Sequence, residues 1–350
     1  MAIELDRMLK YFGSVFVPLS IIVLGFHYGY WFIQLSTICG LAIVSWTTAY
    51  MIYEHMDSET VSSDRKAVLI TGCDSGFGHS LAKRLDRLGY HVFAGVYAYD
   101  SDGASKLRKE CSKRMNVIKM DVTKAEDVEL VVKEIRKQKI PLWAIVNNAG
   151  VGISVPFDWG RDVDEYQKLF DVNVFGVVRV TKNCIPLLRE SKGRIVNVAS
   201  VAGRLAAPSL AHYCMSKHSV RVFSDAIRRE LNGSGVSVSV IEPTFYKTEI
   251  LDPKRAEENR KRAFSETPAE NRKAYPNNSL EVLEEKLSTK VDRMIRSNVD
   301  EVIDAMEKAI TRKSPKLYYR CCGYLDVITI FAFSHLPEML YDYLVLRGLK

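Results

Sequence analysis

The stretch from Ala67 to Gly78 most narrows what this chain can become. A short apolar run, Ala67-Val68-Leu69-Ile70, leads into Thr71-Gly72-Cys73-Asp74-Ser75-Gly76-Phe77-Gly78, and a helical pattern begins at once. Glycines at such a junction let the backbone double back tightly and come close to a pyrophosphate. The helix that follows turns unpaired N–H groups and the positive end of its dipole toward the same place. A glycine motif has meaning only between a strand and a helix, and the flanking residues supply that setting.

The alternation continues along the chain. Strands read at 67–70, 91–96, 117–120, 143–146, 194–198 and 236–241, and helices at 78–88, 124–138, 164–190 and around Tyr213. A helix near 299–312 and a last strand at 316–319 complete the pattern. Repeated β-α-β units predict a doubly wound α/β fold, a parallel sheet with helices on both faces and right-handed crossovers. Residues 244–295, rich in Lys, Arg, Glu and Asn, break the alternation.

Both ends of the chain differ from this middle. No Asp, Glu, Lys or Arg occurs between Lys10 and Glu54. A continuous helix over that run would measure about 65 Å, against about 30 Å of bilayer hydrocarbon. The run predicts an N-terminal membrane anchor over 1–55, of one or two transmembrane helices. A two-span hairpin would turn near Gly25-Phe26-His27-Tyr28-Gly29, with Tyr28, Tyr30 and Trp31 at the interface. Residues 56–65 read as a linker. The tail over 321–350 is apolar but carries Asp326, His335, Glu338 and Asp342 and is interrupted by Pro337, which suits a membrane-associated segment better than another span.

The formal charge of +7 comes without a basic stripe or a recognisable nucleic-acid module. That balance argues against nucleic acid as a partner and for membrane lipid. Seven cysteines, odd in number and without Cys-x-x-Cys spacing, indicate free thiols rather than a disulfide framework or zinc site. The seven histidines form no metal motif, so no metal is expected. Asn232-Gly233-Ser234 and Asn277-Asn278-Ser279 are glycosylation sequons, a short pattern that recurs by chance.

Chemistry is indicated by Tyr213-Cys214-Met215-Ser216-Lys217. Positions i and i+4 share a helix face, so a phenol and an ammonium can meet at one site. A cation beside a phenol favours the phenolate and suits it to general acid/base work, so a lowered Tyr213 pKa is expected. Ser200 ends a strand thirteen residues earlier, with its hydroxyl placed to bind a substrate oxygen.

The order Gly72-x-x-x-Gly76-x-Gly78, Asn147-Asn148-Ala149-Gly150, Asn173, Ser200, Tyr213, Lys217 resembles the short-chain dehydrogenase/reductase family over roughly residues 65–320. Cys73-Asp74-Ser75-Gly76-Phe77-Gly78, Phe223-Ser224-Asp225 and Glu242-Pro243 resemble its branch of retinol, hydroxysteroid and 3-hydroxybutyrate dehydrogenases. The resemblance implies a Rossmann-type sheet of order 3-2-1-4-5-6-7 in a catalytic domain over 66–320, with 244–295 as the substrate loop. It implies catalysis by Asn173, Ser200, Tyr213 and Lys217. Asn173 would hold a water, Ser200 would also bind substrate, and Lys217 would bind the nicotinamide ribose. Gly72, Ser75, Gly76, Phe77, Gly78, Asp121, Val122, Asn148, Ala149, Gly150, Tyr213, Lys217, Pro243 and Thr248 would contact the cofactor. Thr244 stands where the family commonly has glycine, which puts fine cofactor geometry in question.

The cofactor expected is NAD or NADP. No Lys or Arg occurs from 92 to 105, which favours NAD, yet Val96 or Tyr97 holds the usual acidic position. The expected activity is interconversion of a small lipophilic alcohol, steroid or retinoid in class, with its carbonyl. The alternatives are a 3-hydroxybutyrate dehydrogenase-like enzyme and an idle membrane-bound binding protein. By resemblance the chain would sit in an intracellular membrane, endoplasmic reticulum or else mitochondrial, with the catalytic domain facing cytosol. A homodimer is a further expectation of the resemblance.

Overall fold

The computed structural model describes residues 36–45, 48, 59–160, 162–276, 279–280, 282–283 and 295–347. The chain divides into two compact units, Val61–Ser334 and a second formed by Met1–Thr60 with His335–Lys350.

The first unit is built on seven strands: β1 (Ala67–Thr71), β2 (His91–Val96), β3 (Met115–Lys119), β4 (Leu142–Asn147), β5 (Arg194–Val198), β6 (Ser237–Pro243) and β7 (Tyr318–Cys321). They hydrogen-bond in the order β3-β2-β1-β4-β5-β6-β7, every pair parallel, which is the Rossmann-type order the resemblance implied. The connecting helices are α1 (Gly76–Arg87), α2 (Asp102–Glu110), α3 (Ala125–Lys137), α4 (Asp164–Phe170), α5 (Val177–Ser191) and α6 (Ala211–Glu230). They are followed by α7 (Pro253–Glu266), α8 (Ala269–Arg272), α9 (Asp300–Thr311) and α10 (Tyr324–Phe333), while α11 (Glu338–Arg347) belongs to the second unit.

Burial explains why these strands read as continuous apolar runs. Every residue of β1, β4 and β5 is buried, as a parallel sheet covered on both faces requires. Val68 and Ile70 of β1 join Leu81 and Leu85 of α1, Leu107 of α2 and Ile303 and Ile310 of α9. Ala67 and Leu69 point the other way, into a cluster with Val131 and Ile135 of α3 and Cys184 and Leu188 of α5. The period-2 alternation of β1 thus divides the core into two layers.

Several polar groups inside the sheet are paired through side-chain amides. Asn147 Nδ2 donates to Thr181 Oγ1 at 3.0 Å and to Asn197 Oδ1 at 2.8 Å, and Asn197 Nδ2 donates to Ser224 Oγ at 2.8 Å. This chain of amides ties β4 to β5, α5 and α6 from within. On the α1 face, Arg84 meets Asp300, Asp304 and Glu307 of α9 at 2.9, 2.9 and 3.0 Å.

Two departures from the sequence reading have physical causes. A helix at Asp102–Glu110, not anticipated, is capped by Ser101, whose side chain accepts from Ala104 N. The helix expected over 164–190 is broken by a π-helical segment, Asp171–Gly176, which holds Asn173. The C-terminal apolar segment forms two helices, α10 and α11, with Pro337 in the interval between them.

The charge-free run at 11–53 lies largely outside the described residues, within which 36–45 is helical; of the linker at 56–65, residues 59–65 are described and contain no helix. Among the described residues no helix is long and apolar enough to cross a membrane.

Fully buried Ile145 in β4 and well-exposed Leu130 on α3 separate core from surface. Ile145→Ala should lower unfolding free energy by about 2–5 kcal/mol in denaturant titrations, whereas Leu130→Ala should stay within about 0.5 kcal/mol. Equal costs at the two positions would contradict the two-layer core.

Candidate active site

The shared strand direction brings the carboxyl ends of β1, β2, β4, β5 and β6 to one edge, and the motif residues gather there. At β1, Thr71 Oγ1 accepts the backbone N–H groups of Asn148 and Ala149, both at 3.0 Å. The Asn148 amide donates back to the carbonyls of Thr71 and Gly72 at 2.9 and 3.0 Å. The glycine turn is therefore bolted to the end of β4.

Two of its glycines are required by that closeness. A methyl group on Gly72, whose φ is +69°, would lie 2.8 Å from Ala149 Cα. One on Gly78 would lie 2.4 Å from the Gly72 carbonyl oxygen and 2.5 Å from Asn148 Nδ2. Ser75 precedes α1 in extended conformation without using its side chain as a cap, and Gly76 is the first residue of that helix. The result is a bare, N–H-lined cradle at a helix N-terminus, which fits a dinucleotide pyrophosphate. The Phe77 ring packs edge-on against Tyr246, with ring centroids 5.9 Å apart.

Other expected contacts reach the same edge. A methyl on Gly76 would lie 3.7 Å from Thr248 Cγ2, so the turn after β6 reaches over the glycine turn. Asp121 accepts the Thr123 N–H at 3.0 Å and its hydroxyl at 2.8 Å, and Val122 is buried, its carbonyl accepting from Arg179. Thr244 takes no left-handed backbone conformation, and both its N–H and its hydroxyl donate to the Cys321 carbonyl, at 3.2 and 3.3 Å. The lack of glycine at this position thus strains nothing.

The reacting end is built from β5, the π-helical segment and α6. Ser200, buried, follows β5; its hydroxyl donates to the Pro243 carbonyl at 3.3 Å and accepts from Ala202 N at 3.2 Å. Tyr213 and Lys217 stand one turn apart on α6, with Nζ 5.7 Å from the phenol ring centroid. Lys217 Nζ donates to the Val198 carbonyl at 3.0 Å. Asn173 is clasped at both ends of its amide, accepting from Val151 N at 2.8 Å and donating to Val151 O at 2.9 Å and Ser216 Oγ at 3.2 Å. Gly150 lies between, since a methyl on it would be 3.3 Å from Asn173 Oδ1 and 3.6 Å from Lys217 Nζ. Asn173, Ser200, Tyr213 and Lys217 are thus brought into one place.

The electrostatics differ from the expectation in one respect. Burial pushes the Tyr213 phenol up to about 12, with the Ser200 hydroxyl pulling it part of the way back. Burial also pushes the Lys217 ammonium down to about 8. The expected lowering of Tyr213 is absent, because desolvation outweighs a cation that is turned toward the Val198 carbonyl. Tyr213 nevertheless keeps part of its surface open.

Two residues of the branch motifs, Glu242 and Asp74, make contacts that the motif reading did not assign. Buried Glu242 accepts from Arg204 Nε at 2.9 and 2.8 Å, fastening the turn after Ser200 to β6. Asp74, inside the glycine turn, accepts the backbone N–H groups of Tyr97 and Ala98. Its signal in the sequence was an acid placed within the turn itself.

The segment over 244–295, expected from the resemblance to be the substrate loop, is pinned at its base by a bridge between Tyr246 and Arg296. Above it, Val155, Trp159 and Ala263 form an apolar cluster with Ile153, Phe264, Tyr275, Leu280 and Leu283. An adjoining pocket of about 280 Å³ is lined by Pro156, Trp159, Tyr275, Pro276, Ser279, Val282 and Leu283, none of them charged. Among the described residues no group of His, Cys, Asp and Glu is arranged to hold a metal ion.

Comparison with known proteins places this geometry. The family model described as short chain dehydrogenase matches residues 66–259. Estradiol 17-beta-dehydrogenase 2 of Rattus norvegicus is 38% identical over 319 residues, covering 89% of this chain and 83% of its own. Retinol dehydrogenase 7 of Rattus norvegicus is 36% identical over 286 residues, covering 81% of this chain and 88% of its own. The 3-ketoacyl-(acyl-carrier-protein) reductase of Brucella melitensis complexed with NADH is similar in structure at a TM-score of 0.50 and 30% identity, over 53% of this chain and 78% of that one.

Buried Lys217 gives the site a pH signature. The unfolded chain keeps this lysine protonated up to its ordinary value near 10.5, whereas the folded chain releases the proton near 8. Between those values unfolding takes up a proton, so Lys217 makes stability rise with pH, and its full penalty applies below about 8. Wild type minus Lys217→Met unfolding free energy, from denaturant titrations at pH 7 and pH 10, should therefore increase with pH. A difference independent of pH would mean that Lys217 is not held in a desolvated site.

Proposed function

This chain belongs to the short chain dehydrogenase family, and on that footing we propose that it interconverts a lipophilic alcohol, of steroid or retinoid class, with its carbonyl. It is an alcohol dehydrogenase/ketone reductase that uses NAD or NADP. The single observation that carries the reading is the convergence of Ser200, Tyr213, Lys217 and Asn173 beside a glycine cradle shaped for a dinucleotide.

Gly72, Ser75, Gly76, Phe77, Gly78, Asp121, Val122, Asn148, Ala149, Gly150, Pro243 and Thr248 form the surface that would hold the cofactor, with Tyr213 and Lys217 at its nicotinamide end. The bound nicotinamide supplies or accepts the hydride. The chain's own residues manage the oxygen. Ser200 donates to the substrate oxygen once its single hydroxyl proton turns away from the Pro243 carbonyl. Tyr213 gives its proton to that oxygen in reduction and takes it in oxidation. A phenol raised by burial holds its proton until the developing alkoxide needs it. Lys217 stabilises negative charge on the phenolate, and Asn173, clamped to Val151, would hold a water leading from Lys217 to solvent.

Lipophilic substrates are supported by the names of the relatives and by the pocket beside Trp159, whose described lining residues carry no charge. A small carboxylate, as in 3-hydroxybutyrate, would want a cation there. For location, the charge-free run at 11–53 supports an N-terminal anchor, followed by a linker at 56–65, a catalytic domain over 66–320 and a membrane-associated tail over 321–350. Exposed Ile328 and Phe331 on α10 suit that tail. Free cysteines suit a catalytic domain in the cytosol, at the endoplasmic reticulum. A homodimer would cover exposed Phe175, Met215 and Val222.

Tyr213→Phe should reduce kcat for steroid and retinoid alcohols by at least about 10²-fold while cofactor binding, read by NADH fluorescence, is retained. Retention of more than about a tenth of kcat would remove Tyr213 from the acid/base role.

Location is tested separately. The full chain should resist alkaline carbonate extraction, a variant lacking residues 1–55 should lose that resistance, and protease added to sealed vesicles should digest the catalytic domain. Full protection, or glycans on Asn232 or Asn277, would place the domain in the lumen.

A further inference from the structure

In dinucleotide-binding folds an acidic side chain, about 20 residues beyond the first glycine, grips the ribose 2′-hydroxyl at the end of the second strand. Here β2 ends in Val96-Tyr97, and neither is acidic. The carboxylate at that place comes from the glycine turn instead. Asp74 Oδ2 accepts the Tyr97 N–H at 2.8 Å, Oδ1 accepts the Ala98 N–H at 2.9 Å, and the Ser101 hydroxyl stands 3.5 Å from Oδ1.

The loop is held against the turn on its other side as well. A methyl group on Gly103, in the first turn of α2, would lie 1.7 Å from the Asp74 carbonyl oxygen. Asp74 is therefore positioned by backbone contacts from β2 to α2, yet it is only partly buried. Each carboxylate oxygen keeps acceptor capacity beyond the backbone N–H it binds. The adjoining loop adds Asp100 and Asp102 and carries no basic residue from 92 to 105. The cation brought near by the fold, Arg108, is turned to its own loop: it donates to the Tyr99 carbonyl at 2.7 Å and Ser105 Oγ at 3.1 Å and lies 4.4 Å over the Tyr99 ring.

We propose that Asp74 is the residue that selects NAD(H) over NADP(H), by accepting a hydroxyl of the adenosine ribose and by opposing the charge of a 2′-phosphate. The proposal rests on the reading of the chain as a nicotinamide-dependent oxidoreductase. It places the discriminating carboxylate inside the phosphate-binding turn rather than at the end of β2. A like charge at this point acts against the wrong cofactor, and selectivity then comes from repulsion as much as from attraction.

The test compares Kd for NADH and NADPH by fluorescence titration, with kcat/KM for each, in the wild type, Asp74→Asn and Arg108→Ala. Wild type should prefer NADH, and Asp74→Asn should move the NADPH-to-NADH affinity ratio toward NADPH by about tenfold or more. A shift below about threefold in a folded Asp74→Asn chain overturns the proposal. So does a selective loss of NADPH binding in Arg108→Ala, which would make Arg108 a phosphate partner. Should Asp74→Asn fail to fold, wild type decides: its discrimination between ADP-ribose and 2′-phospho-ADP-ribose must shrink as salt rises, since repulsion at an open site is screened. Discrimination indifferent to salt overturns the charge argument. Binding of neither dinucleotide by wild type would remove the oxidoreductase reading itself, whereas an unchanged ratio with both bound removes only the role of Asp74.

Discussion

The joint between β1 and β4 is the constraint on which the site depends. Thr71 Oγ1 takes two backbone N–H groups from the Asn148-Ala149 segment, and Asn148 returns two bonds to the carbonyls of Thr71 and Gly72. This exchange holds the two strand ends so close that the turn between β1 and α1 has no room for side chains at Gly72 and Gly78. The Asn148–Gly150 segment then leads directly to Asn173 and Lys217, so cofactor cradle and reacting groups share one support.

Around that support the site holds its protons in an unfavourable medium. Lys217 is a buried cation with a backbone carbonyl as its acceptor, and Tyr213 is a phenol whose ionisation burial opposes. Neither group is settled in its charged form. A site that must move a proton with each hydride benefits from this, because the charged forms are stabilised by what binds rather than by the free chain. The Asn173–Val151 clasp and the Arg204–Glu242 pair keep the geometry fixed while protonation changes.

Much of this was legible in the sequence. Strand alternation followed from apolar runs that a two-sided parallel sheet demands, and the strand order followed from the family resemblance. The residues gathered at the edge were those whose order along the chain carried that resemblance. What escaped depended on three-dimensional context. The π-helical turn at Asp171–Gly176 has no signal in a periodicity that otherwise reads as one helix. The helix at Asp102–Glu110 hides among charged residues, with its cap at Ser101 as the local cue. The pKa of Tyr213 could not be read from its spacing to Lys217, since spacing says nothing of how deeply both are desolvated. Asp74 was visible as a residue, but the bonds it makes cross from β1 to the end of β2.

The bridge between Tyr246 and Arg296 bears on how such an enzyme can change. It closes a loop of roughly fifty residues at its neck, and beyond a certain length the entropy of closing a loop grows only slowly with further insertion. The neck is fixed to the sheet side, where Tyr246 donates to Glu301 of α9 at 2.7 Å and Arg296 grips the same carboxylate. Sequence inside the loop can therefore lengthen, shorten or exchange its apolar lining without moving Ser200, Tyr213 or Lys217. If that loop holds the substrate as proposed, substrate preference is a replaceable module on a fixed hydride-transfer chassis, and new specificities are reachable without rebuilding the catalyst.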